Sequence, residues 1–125
     1  MGDANQLCTA DEMDGILIAT LLVEQIREAK MAYELRDKLI SLIQEARPRD
    51  VVFDLSKAKS IGSIGFLAFL GVRRELPDGR IILCNMFQPV RDMFAVSRLI
   101  QTAGNQGAPF EVAATKEAAL ARLKA

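Results

Sequence analysis

The chain has 125 residues, with sixteen basic and sixteen acidic side chains, no net charge and half of its residues apolar. This suits one soluble domain around one core, and it excludes both a disordered chain and a strongly basic nucleic-acid-binding one. Histidine and tryptophan are absent, which removes the commonest general base and transition-metal ligand and the largest base-stacking side chain.

In chain order, residues 1–5 are expected to be a flexible start, and a short edge strand is expected around residues 6–9. Asp14-Gly15 is a hairpin-type dipeptide that would join this strand to an apolar one over residues 16–23. That apolar run is far shorter than the about twenty residues needed to cross a bilayer, so no membrane insertion is expected. The first fifteen residues carry Asp3, Asp11, Glu12 and Asp14 and no basic side chain. They do not read as a secretory signal or transit peptide, and a cytoplasmic location is expected.

Leu35, Leu39, Leu42, Ile43 and Ala46 share one helical face, predicting an amphipathic helix over residues 31–46 that stops before Pro48. A β-branched and aromatic run predicts a strand over residues 51–55, and a polar connection comes after it. A second helix is expected over residues 63–76, ended by the turn Pro77-Asp78-Gly79, and then a buried strand over residues 80–84. Pro89 opens a third helix lined by Val90, Met93, Phe94 and Ser97. Gly104-Asn105-Gln106-Gly107 is a loop, residues 110–113 a last strand, and Thr115 the cap of a final helix through Lys124. Strands alternating with helices predict an α/β fold, with a mainly parallel mixed sheet of four to five strands and about four helices.

Cys8 and Cys84 lie far apart in sequence and in no ligand-spaced cluster. They read as reduced, buried thiols, with no metal site and no cofactor expected. The segment with the most chemical content is Gly62-Ser63-Ile64-Gly65, where a strand gives way to an apolar helix. Unpaired N–H groups and the helix dipole favour an anion such as phosphate at such a start. Ser63 is the leading functional residue, against the plainer reading of a capping serine. Gly65 reads as a close-packing glycine and Asp54 as a strand-ending residue that organises the connection. A nucleophile elbow needs a histidine and a phosphate-binding Walker loop needs Gly-Lys-Ser/Thr; the chain has neither, so no catalytic residue is assigned and no enzyme is expected. Arg73, Arg74 and Glu75 are candidate rim contacts on the second helix, against a plain solvated face.

Four features occur in order: Asp54-Leu55, then Gly62-Ser63-Ile64-Gly65-Phe66, then Gly79 before the strand over residues 80–84, then Pro89-Val90 through Phe94. Together they resemble the STAS domain of anti-sigma factor antagonists over nearly the whole chain. The resemblance implies one STAS-like domain over residues 1–125 that works without catalysis, binding a protein partner, an anti-sigma factor with serine kinase activity. Gly62, Ser63, Ile64 and Gly65 would form its switch loop, with Ser63 the phosphorylated residue. Gly62 stands where that family usually has Asp, and Ile64 where it often has a second Ser or Thr. The alternatives are a constitutive scaffold or transporter-accessory subunit of the same family, or a weak nucleotide-binding module.

Overall fold

The structure is a computed structural model that describes residues 6–124; the flexible start expected over residues 1–5 lies outside them. Asp14 and Gly15 both have positive φ, 52° and 79°, the conformation of a two-residue type I′ turn. This turn joins β1 (Cys8–Met13) to β2 (Ile16–Leu21) with Met13 directly opposite Ile16. The first strand therefore runs up to the turn rather than ending near residue 9. Everything in it after Cys8 is exposed, as a solvated edge allows, so no apolar alternation marks its extent.

Next come β3 (Gln25–Ile26), α1 (Ala29–Ala46), β4 (Asp50–Asp54) and β5 (Ser60–Ile61). Helix α1 begins two residues earlier than its apolar face suggests because Ala29 and Lys30 are exposed. Arg47, at φ 48°, closes it with an N–H donated to Ile43 O at 2.8 Å, just before Pro48. After a single 3-10 turn at Ser63–Gly65 come α2 (Phe66–Glu75), β6 (Ile81–Cys84), α3 (Gln88–Val96), β7 (Glu111–Ala113) and α4 (Lys116–Lys124). Thr115 caps α4 as expected, its Oγ1 accepting the Ala118 N–H at 3.1 Å. Ser97, expected on the buried face of α3, is instead the exposed residue that ends it, one step past the last apolar turn.

Five strands form a mixed sheet in the order β1-β2-β4-β6-β7. Only the β1–β2 pair is antiparallel; the other pairs are parallel. Strands β3 and β5, which no sequence pattern announced, make a separate parallel pair. Alternate residues along β4 serve two cores. Val51 and Phe53 join a large cluster with Leu35 and Leu39 of α1, Phe69 and Val72 of α2, and Val90 and Phe94 of α3. Val52 faces the other way, onto Ile18, Ile82, and Ala119 and Leu123 of α4. Phe69 is central to the large cluster, edge-on to Phe53 at 5.3 Å and to Phe94 at 5.3 Å.

Polar groups lock the strand starts. Asp50, 6 % exposed, accepts the Arg80 N–H at 2.8 Å and Arg49 Nε at 2.8 Å. Arg80 clasps Glu111 through two contacts of 2.7 Å, linking β6 to β7. The Arg80 hydrogen bonds hold the Glu111 carboxyl below its usual range, opposed by burial and aided by Arg122. A carboxylate whose folded value is depressed stabilises the fold above the unfolded value and loses that contribution as pH falls through the folded one. Glu111→Gln is therefore expected to cost about 1 kcal/mol near neutral pH. In urea titrations this gap should close below the carboxylate range; a gap that persists in acid would assign the cost to packing instead of charge.

Candidate functional site

The site is assembled from the end of β4 onward. Asp54 is a turn organiser: its Oδ1 accepts the Ser56 N–H at 2.9 Å and Asn85 Nδ2 at 3.3 Å, tying the ends of β4 and β6 together. Leu55 and Ala58 are fully buried and pin the connection to the core. The chain then runs beside β3. Lys59 and Ser60 donate N–H groups to Glu24 O at 2.7 and 3.1 Å, and Gly62 donates to Ile26 O at 3.0 Å.

Gly65 sets the path of the chain into the second helix. A Cβ on it would lie 2.5 Å from Ile26 O, 2.8 Å from Ile61 Cγ1 and 2.9 Å from Ile26 Cγ2. The close packing expected of this glycine is present, and its partners are the β3–β5 pair. With Gly62 hydrogen-bonded to β3 and Gly65 pressed against it, one tight turn fits between, closed by Gly65 N–H to Gly62 O at 2.9 Å. The second helix therefore starts at Phe66, three residues later than its sequence suggested. Neither the turn nor α2 has a side-chain cap hydrogen bond, so Ser63 is not a capping serine. It is exposed, between half-buried Gly62 and Ile64, with Gly65 buried behind.

Position 62 is open. Its backbone, φ −100° and ψ 170°, has the extended form usual for a cap residue, and a Cβ there would meet Arg27 Cα at 3.7 Å, an ordinary contact. Gly62→Asp is expected to stabilise the fold by up to about 1 kcal/mol, through a cap bond and a less flexible unfolded chain. Urea unfolding measures this, and destabilisation would show that the position does not accept a side chain.

Arg73, Arg74 and Glu75 lie at the opposite end of α2, about 15 Å from Ser63 at 1.5 Å per residue. The fold does not bring them to the loop. The Arg73 guanidinium donates to the carbonyl oxygens of Leu76, Gly79 and Pro109 and so ties down the end of α2. Arg74 and Glu75 are exposed, and Glu75 Oε1 accepts Gln44 Nε2 at 3.2 Å. Two residues on or next to elements that adjoin β5 were not marked by the sequence pattern. Arg27 lies against Gly62 through a strand pairing too short to leave a pattern. Phe87, 44 % exposed, directly precedes α3, which packs against β5; an aromatic residue two positions before Pro89 was its only signal.

Both cysteines are buried and free. Burial pushes the Cys84 thiol up to about 12, with the Asp54 carboxylate adding to the shift, and burial likewise raises Cys8. Such thiols are poor nucleophiles. Among the described residues no group of three or more His, Cys, Asp or Glu is placed to hold a metal ion, and no helix is long and apolar enough to cross a membrane.

A family model for the STAS domain matches residues 28–118. No curated protein matches the chain. Among solved structures, the chain is similar to an anti-sigma-factor antagonist (STAS) domain protein from Planctomyces limnophilus, with 19% identity over 94% of this chain and 98% of that one, at a TM-score of 0.76. The phosphorylated form of the Bacillus cell fate determinant SpoIIAA is 22% identical over 93% of this chain and 98% of that one, at 0.65. A serine-to-glutamate variant of Moorella thermoacetica RsbS is 14% identical over 94% of each chain, at 0.67. At these identities the structures show a shared fold.

Proposed function

Because this chain belongs to the STAS domain family, we propose that it is a single cytoplasmic signalling domain, without catalysis of its own, that docks on a protein partner and is switched by phosphate at Ser63. The partner is an anti-sigma factor with serine kinase activity. The observation that carries this reading is the exposed Ser63, bound to neither helix cap and held on a turn whose two ends are fixed by β3. A hydroxyl so presented can enter another protein's active site while its surroundings stay in place. Two of the similar structures support the reading by what they are, one phosphorylated and one with glutamate in place of a serine.

The chemistry asks little of this chain. The partner supplies the catalyst and the nucleoside triphosphate. Ser63 Oγ gives up its proton as the new O–P bond forms and the nucleoside diphosphate leaves. The phosphate carries a charge of roughly −1.5 to −2 at neutral pH, and at the centre of a docked surface that charge and bulk weaken the complex.

Gly62 supports a second reading, a constitutive scaffold or transporter-accessory subunit, because the carboxylate usual beside the serine is missing. Capture of partners from the native cytoplasm, with mass spectrometry of Ser63, separates the two. A serine kinase among the partners and phosphate on Ser63 support the switch; a stable transporter complex or very large particle with Ser63 unmodified supports the scaffold. Equilibrium dialysis against GTP and ATP tests the remaining nucleotide-binding alternative.

A further inference from the structure

Strands β3 and β5 pair in parallel with Ile26 opposite Ile61, so the next residues along, Arg27 and Gly62, lie side by side. Gly62 confirms the approach with its N–H donated to Ile26 O at 3.0 Å. A Cβ on Gly62 would sit 3.7 Å from Arg27 Cα, 3.9 Å from its Cβ and 4.0 Å from its Cγ. The arginine stem thus runs alongside position 62 at ordinary contact distance, with Cδ, Nε and the guanidinium group still to extend beyond it. Arg27 is exposed and makes no ion pair among the described residues. Ser63 is the next residue, its Cα about 3.8 Å from that of Gly62.

We infer that Arg27 is the residue that receives a phosphate carried by Ser63, as a guanidinium–phosphate pair that holds the modified loop against the β3–α1 junction. This rests on the reading of Ser63 as a phosphorylated residue and adds what the phosphate does within this chain. Arginine suits the task because its planar fork matches phosphate oxygens and its charge is permanent. With glycine at position 62, no carboxylate at that position competes for the guanidinium or repels the phosphate. Charged residues on the adjoining elements include Glu24 and Lys59, which face each other at 3.9 Å, Glu28 directly after Arg27, Lys30 and Glu34 in the first turns of α1, which packs against the Ser63 turn, and Arg91 and Asp92 on α3, which packs against β5. Glu28 is the charge that opposes the phosphate most directly along the chain.

The test uses the full chain with genetically encoded phosphoserine at position 63, followed by phosphorus NMR through a pH titration. An adjacent cation favours the doubly charged phosphate, so its midpoint, ordinarily about 6, is expected to fall by about half a unit. Arg27→Ala should raise the midpoint by most of that shift, toward that of the same chain unfolded in urea, while the unmodified Arg27→Ala chain melts at the wild-type temperature. Equal midpoints with and without Arg27 would overturn the pairing. Because the phosphate is installed without a kinase, this result is independent of the functional reading, which fails separately if partner affinity ignores the phosphate.

Discussion

Gly65→Ala is expected to destabilise the fold by about 2 kcal/mol in urea unfolding, within the range typical of overpacking a filled site. The added methyl group would meet a backbone oxygen, Ile26 O, at 2.5 Å and two isoleucine side chains below 3 Å. The oxygen cannot retreat cheaply, since it accepts the Gly62 N–H that anchors the loop. The less flexible unfolded chain of the alanine variant recovers up to about 1 kcal/mol, less than the clash costs. The loop should therefore leave β3, and the amides of Gly62 and Ile26 should lose hydrogen-exchange protection before the rest of the sheet. Gly104→Ala is the control: nothing lies within 4 Å of a Cβ there, so it should change little. A neutral Gly65→Ala would mean that the loop is not clamped.

Ser63→Glu is expected to weaken partner binding about 10- to 100-fold, roughly 1.4 to 2.8 kcal/mol, while Ser63→Ala stays within about twofold. The difference arises from position. An exposed hydroxyl that caps nothing can be removed with little effect on the fold, whereas a carboxylate there must be desolvated in any docked complex. Fluorescence titration with purified partner separates the cases. Equal affinities for both variants would remove the switch and leave a constitutive binding module.

Much of the scaffold was legible because it repeats a period. The apolar face of α1, the Asp14-Gly15 turn, the buried runs of β4 and β6 and the Thr115 cap each left a local chemical mark. The parts that position the site left none. Gln25–Ile26 and Ser60–Ile61 are too short to show alternation, yet their pairing clamps Gly65 and brings Arg27 to Gly62. Ser63 stands out in the sequence by its place between strand and helix, but the turn that presents it depends on contact with β3, so periodicity alone starts the helix too early. Arg73 looks like an interface residue on a helical pattern; in the fold its guanidinium holds carbonyls from three separate positions. Composition marks a charge without showing what it meets.

The most direct test is a calorimetric titration of the purified partner with two forms of the full chain, one unmodified and one carrying phosphoserine at position 63. The unmodified chain should bind, and the phosphorylated one should bind at least about tenfold more weakly, a change of about 1.4 kcal/mol. Equal affinity for the two forms would contradict the proposal that Ser63 is the switch.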